Sequence, residues 1–406
     1  MNRRSSMDGT LSLPFFLALL VSAFPHGVAA AEGDRTVEVT ATLQGDYIQD
    51  FKRVDGNWDD TLRPSKIPTT EGAFGDDGQA IISAKQSGLG IKGSGTAGGR
   101  TLRGVLSFDL FGSGNNEGET TFHLKDAYGQ WGPWIAGQLY TTFMDGDIFP
   151  NTVDYWGPSG MVYVRNPQIR YQPIDDEHYR FAIAIEKPSD DVDPGQIREI
   201  DPGLGDAIQG TEEVPDLTAH FRMNGDWGHF QAAGLMRRIG FETIGTPGNE
   251  PSDEEFGWGL DLTTAINVFD GNDQILLGYV FGEGIASYMN DGGTDLAGEG
   301  TLTDPRAATV PLFGVVAYYN HQWTEGWTSS IGYSRTEVDN TDLQEGDAFH
   351  VGQYASANVL YSPDDHFTVG AEVLWGERED NNGANGDDVR AQVTFRYNFA
   401  TTVERH

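Results

Sequence analysis

From Val389 to Phe399 the side chains alternate without a break. Val389, Ala391, Val393, Phe395, Tyr397 and Phe399 are apolar, and Arg390, Gln392, Thr394, Arg396 and Asn398 between them are polar. A period of two means a strand whose two faces meet different media. The aromatic residues crowd the C-terminal end, where the girdle of a membrane barrel would lie. Alone, the stretch fits either a barrel strand or a half-buried edge strand of a soluble sandwich.

The rest of the chain decides between the two. Strand-like segments fall at 35–51, 80–93, 100–111, 119–131, 134–142, 161–172, 178–187, 215–223, 227–240, 257–268, 272–283, 311–323, 326–337, 349–361, 366–376 and 389–399. The connections alternate in length. Short ones, such as 94–99, 132–133, 224–226 and 362–365, carry the Gly, Asn, Asp and Pro that tight turns need. Long ones cover 52–79, 143–160, 188–214, 241–256, 284–310, 338–348 and 377–388. This pattern predicts an all-β fold: a transmembrane antiparallel β-barrel of about sixteen strands, with short periplasmic turns and long extracellular loops. No fixed repeat of the kind a propeller requires is present.

The first residues read as a secretory signal: Arg3 and Arg4, an apolar run over 11–21, then small residues at 28–31. The expected organisation is a signal peptide at 1–31, a barrel at 32–399 and a C-terminal extension at 400–406. The chain has no cysteine, which suits a ladder that closes on itself. The net charge is -35, which excludes nucleic acid as a partner, since phosphate binding needs a basic footprint. The long connections, with 112–118, hold 36 acidic and 7 basic residues. Such loops repel one another and stay hydrated. A divalent cation bridging them is a second reading, although Asp190-Asp191-Val192-Asp193-Pro194-Gly195 lacks the ligand ladder and closing Glu of an EF-hand. No cofactor and no other metal site is expected.

Strand phase assigns the lumen. A basic side chain facing lipid at mid-depth costs about 2–4 kcal/mol. With the apolar faces outward, Arg103, Lys125, Arg180, Arg222, Arg390 and Arg396 point inward. Gln168 and Arg170 do the same, whereas the phase sends Arg165 outward unless Pro167 marks a bulge that resets it. Arg165 therefore joins the lumen set on that condition. Such side chains either attract anions or pair with luminal carboxylates and stiffen the wall. The third outer loop, about 143–160, carries Asp145, Asp147 and Asp154 and no basic residue. Folded into the lumen, it would set a transverse field against the basic wall.

The runs GVLSFDLFG (104–112), FHLKDAYGQWGPWIAGQLYTTFMD (122–145), NPQIRY (166–171), GYVFGEGIASYMND (278–291), YNHQWTEGWTSSIGYS (319–334), VLYSPDDHFTVGAEVLWGERED (359–380) and VRAQVTFRYNF (389–399) resemble the DcaP-like outer-membrane porins in order and spacing. The resemblance spans nearly the whole mature chain. It implies a homotrimeric sixteen-stranded porin in the outer membrane of a Gram-negative cell, among lipid and lipopolysaccharide, that passes small anions, dicarboxylic acids above all. It also implies that Arg170, within PQIRY, binds substrate. Two features depart from the family. The first strand starts almost at the cleavage point, with no helical coiled-coil segment before it, and residues 400–406 follow the closing aromatic.

Three other functions remain open on the sequence. One is a general or cation-preferring porin, favoured by the acidic loops. Another is a barrel hydrolase, although GPSG at 157–160 does not fit the G-x-S-x-G elbow. The last is a secreted soluble β-protein that binds sugars through its aromatic residues.

Overall fold

The computed structural model describes residues 32–200, 202–245, 248 and 251–405. The segment read as a signal peptide lies outside the described residues. Sixteen strands form a closed antiparallel barrel: β1 (Glu32–Asp50), β2 (Gln79–Ser83, resuming as Gly88–Ala97), β3 (Arg100–Phe111), β4 (Thr120–Trp131), β5 (Trp134–Tyr140), β6 (Arg165–Asp175), β7 (Tyr179–Glu186), β8 (Asp216–Gly225), β9 (Gly228–Thr243), β10 (Asp253–Val268), β11 (Asp273–Glu283), β12 (Pro311–Gln322), β13 (Trp327–Val338), β14 (Phe349–Tyr361), β15 (Phe367–Asp380) and β16 (Asn385–Arg405). Each strand pairs with its sequence neighbours. The ladder closes through β16 and β1, in register from Arg35↔Arg405 to Asp50↔Arg390. Closure leaves no open strand edge at membrane depth, so the ladder can satisfy the backbone without water.

The two-residue period becomes two surfaces. On β9, His229, Gln231, Ala233, Leu235 and Arg237 are buried inside, while Met236 between them is exposed outside. On β16, Arg390, Gln392 and Thr394 are buried, while Phe395 and Tyr397 are exposed. Trp131, Trp134, Trp227, Trp327, Tyr361 and Tyr397 stand exposed at the short-turn end, with Trp134 on Tyr171 and Trp327 on Tyr361 at 4.6 and 4.7 Å. Aromatic rings with a polar edge suit that boundary.

Four sequence-based boundaries are corrected. Residues 400–405 form no separate extension; they continue β16 and pair with β1 from Thr40 back to Arg35. Strand β2 is interrupted at 84–87, where Lys85 turns inward to pair with Asp60; a lysine in mid-strand cannot face lipid. The connections at 241–256 and 377–388 shrink to 244–252 and 381–384, because β9, β10, β15 and β16 run on beyond the apolar band. The loops 187–215 and 284–310 have their own small sheet, in which Leu296–Thr301 pairs with Asp304–Thr309 and with Val192–Asp193.

Candidate functional site

The connection between β5 and β6 decides what the lumen can hold. Gly137 has φ 128, and a Cβ there would lie 2.2 Å from the Ala127 carbonyl, so only glycine allows the bend. Pairing of β5 with β4 ends at Ala127↔Gln138. Gln138 Nε2 then donates to the carbonyls of Leu124 and Lys125 at 3.0 and 3.1 Å. Beyond it the chain enters the lumen as a loop over 141–164.

That loop lies flat on the inner wall. Phe143 and Ile148 are buried and sit on the glycine surfaces of β10 and β11 at Gly259 and Gly278. Asp145 accepts from His229 Nε2 at 2.7 Å, Thr263 Oγ1 at 2.7 Å and Arg222 Nη1 at 3.3 Å. Burial alone would raise its pKa, but these donors outweigh burial and hold the carboxyl below the usual range. Asp154 accepts from Thr61 Oγ1, the Leu62 and Gly157 amides and Tyr354 Oη at 2.8–3.1 Å; burial dominates there and pushes its carboxyl up. Gly160 N donates to Ser334 Oγ at 2.7 Å.

The expected transverse field is therefore corrected. Asp145 and Asp154 are buried fastenings of the loop. Asp147 alone of the three is exposed, at 61% of its side chain, and it pairs with Arg222 at 2.6 Å. Arg222 is in turn neutralised by two carboxylates of the loop.

The open space lies on the other side, against β1–β4 and β16. A cavity of about 470 Å³ is lined there by Lys125, Arg165 and Arg396, with Asp109, Asp126 and Tyr155. Lys125 Nζ is 3.2 Å from Asp109 Oδ2, and Arg165 Nε is 3.2 Å from Asp126 Oδ1. Tyr155 Oη donates to Asp109 at 2.7 Å; burial, then the neighbouring carboxylate, raises its pKa and keeps it a donor. Among the described residues Arg396 makes no ion pair. Its Nε donates to Gln44 Oε1 at 2.7 Å, and Gln44 Nε2 donates to Asp46 at 3.0 and 3.1 Å. The amide thus spaces Arg396 from the nearest acid.

The other candidates are dispersed. Arg390 is buried between Asp50 and Asp388, both at 2.8 Å, and donates to the carbonyls of Asp59 and Thr61; it ties the first outer loop to the wall. Arg170 donates to Gln168 Oε1 at 3.0 Å and to the Tyr140 carbonyl, bracing the strand where the inward loop departs. Arg180 pairs with Asp175 at 3.0 Å beside a short turn. Arg103 lies on the inner face of β3 between Ser94 and Gln130, outside the cavity.

Two placements depend on irregular backbone. Pro167 makes no bulge: β5–β6 pairing runs unbroken from Tyr140↔Arg165 to Trp134↔Tyr171. Arg165 reaches the lumen because its partner Tyr140 has already left β4; the guanidinium stacks 3.7 Å over that ring. On β4 the register slips between Ser107↔Asp126 and Phe108↔Leu124, so Lys125 and Asp126, adjacent in sequence, both face inward. Asp126 does not follow from strand phase alone. The signal was present: two adjacent charges in a lipid-contacting strand require a bulge, since one would otherwise sit in hydrocarbon. In the acidic stretch Asp190, Asp191 and Asp193, Asp190 pairs with Arg237 and Asp193 accepts from Gly195 N. Among the described residues no group of three His, Asp or Glu is arranged to hold a metal.

A closed sixteen-stranded barrel with a loop folded into its lumen, a polar interior and an apolar belt defines an outer-membrane porin. The chain belongs to the DcaP outer membrane protein family, whose model matches residues 75–399. Among solved structures it is similar to the outer-membrane channel DcaP of Acinetobacter baumannii, with 19% identity, a TM-score of 0.76, and 91% of this chain and 99% of that chain covered. It is also similar to the outer membrane protein OmpT of Vibrio cholerae, with 12% identity, a TM-score of 0.54, and coverage of 91% and 100%. The trimer form of that protein aligns with 12% identity, a TM-score of 0.52, and coverage of 90% and 99%. The chain has no match among curated proteins. It is a protein of the bacterial outer membrane.

Proposed function

We propose that this porin passes small anionic solutes by diffusion, dicarboxylic acids foremost, that it works as a homotrimer surrounded by lipid and lipopolysaccharide, and that it is not an enzyme. The observation that carries the reading is the cavity wall. Three cations line it: Lys125 and Arg165 are paired with Asp109 and Asp126, whereas among the described residues Arg396 makes no ion pair and donates to the Gln44 amide. Arginine grips a carboxylate with two parallel bonds. The OmpT trimer form lends support to the assembly.

In planar bilayers the wild-type channel is expected to be blocked by succinate and to give an anion-selective reversal potential in a potassium chloride gradient. Arg396→Gln removes a charged hydrogen-bond donor, a loss of about 1.5–3 kcal/mol, so half-block should need at least about tenfold more succinate. Cation selectivity without succinate block overturns the substrate class and leaves a general porin. A hydrolase screen of the purified trimer tests the enzyme reading.

The acidic outer loops favour a second reading, cation preference, at low salt. The two separate by ionic strength. The Debye length falls from about 10 Å at 0.1 M to about 3 Å at 1 M. Carboxylates at the mouth then lose their reach, while cations in the narrow cavity act at contact. Anion selectivity should therefore rise with salt; a cation selectivity at low salt that only fades towards none at 1 M places the filter at the mouth.

A further inference from the structure

The cations of the cavity differ in how firmly the protein already occupies them. Asp109 is locked: its side chain is 4% exposed, and it accepts from His123, Lys125, Tyr155 and the Phe111 amide. Asp126 is held less tightly. Its side chain is 22% exposed; it meets Arg165 through one bond at 3.2 Å and accepts from Ser107 Oγ at 2.7 Å. Only the register slip at Lys125 brings it inward at all. A carboxylate is also the group that a transported acid would present to Arg165.

We propose that Asp126 is an internal competitor of the transported anion: it occupies Arg165 when the pore is empty and must yield that guanidinium to one carboxylate of a solute whose other carboxylate sits on Arg396. This rests on the anion-porin reading and adds a specificity-determining residue to it. A resident counter-ion keeps the bare guanidinium from trapping its cargo, since a conducting site must bind weakly enough to release. It also selects for two carboxylates. A monocarboxylate can settle on Arg396 alone and leave the Asp126–Arg165 pair intact; the second carboxylate of a diacid is what displaces Asp126.

The test compares block by succinate and by acetate in the wild type, Asp126→Asn, Arg165→Gln and the double variant. Asn keeps the shape and can still accept from Ser107. Asp126→Asn is expected to lower the half-blocking concentration of succinate about tenfold, to change that of acetate little, and to slow succinate release. In the Arg165→Gln background the same change should do nothing. Equal succinate block in the wild type and Asp126→Asn overturns the competition and leaves the anion-porin reading standing. A gain that persists without Arg165 also overturns it, because general electrostatics then suffices. Block of Asp126→Asn without any block of the wild type upholds the competition but removes dicarboxylates as native cargo.

Discussion

A Gly314→Val variant should conduct several-fold more current per channel than the wild type while remaining a folded barrel. Gly314 lies on the inner face of β12 between Leu312 and Val316. The inward loop ends directly on it: a Cβ at this position would sit 2.4 Å from the Gly160 carbonyl oxygen and 2.8 Å from Met289 Cε. On the other side of the contact, a Cβ on Gly160 would meet the carbonyls of Arg335 and Val315 at 2.2 and 2.7 Å. Two backbones are in contact there, so no rotamer change can make room. Overpacking of this kind costs about 1–3 kcal/mol, and the loop, rather than the hydrogen-bonded wall, is the element able to move. Gly278 is the control. Its Cβ would meet the far end of Ile148 at 2.8 Å, and that side chain can swing away, so Gly278→Ala should leave conductance close to wild type. Single-channel recording in molar salt, with heat-dependent gel mobility to certify the fold, reads both variants. Unchanged conductance in Gly314→Val means that the loop does not set the bore.

The sequence carried the fold because a two-residue period survives any register. Val389 to Phe399 shows its two faces without knowledge of a neighbour, and the turn residues mark every hairpin. Strand ends were harder to read, since above the apolar band both faces meet water and the alternation in 377–388 fades into acidic residues. The same limit hid 400–405, where Thr401, Thr402 and Glu404 extend the ladder without an apolar face. The lumen was legible by direction but not by partner. Phase says that Arg222 and Arg390 point inward. It cannot say that Asp145 and Asp147 of a distant loop, or Asp50 and Asp388, meet them there. Arg396 looks the same as these in the sequence, and only the Gln44 amide beside it sets it apart. Tyr140 and Arg165 break the phase rule for a backbone reason, the bend at Gly137.

Arg237→Met should release the outer loops 188–214 and 284–310 and expose them to protease, with the largest loss of stability of any single change considered. Arg237 is fully buried at the outer end of β9, between Asp190 at 3.0 Å, Asp216 at 3.3 Å and Asp295 at 3.2 Å. It also donates to the carbonyls of Ser189 and Gly284 and to Ser287 Oγ. One side chain thus fastens both loops, each of which supplies a strand to the small outer sheet. Removing one partner from a buried ionic cluster costs about 3–5 kcal/mol, because the remaining charges stay unpaired. Here three carboxylates would be left facing one another, with Glu186 and Asp191 close by. The cluster is acid-rich even when intact. Burial, only partly offset by Arg237, lifts the Asp190 carboxyl from its ordinary 3.8 to about 7. Docking the loop therefore takes up a proton between those two values. Its stability is greatest at the acid end and falls as pH rises through 7. Protease nicking of the wild-type loops should increase from pH 5 to pH 8. In Arg237→Met, where protons alone can neutralise the carboxylates, nicking should begin at lower pH. Nicking that is independent of pH in both proteins would mean that the small sheet holds the loops and the Arg237 cluster does not.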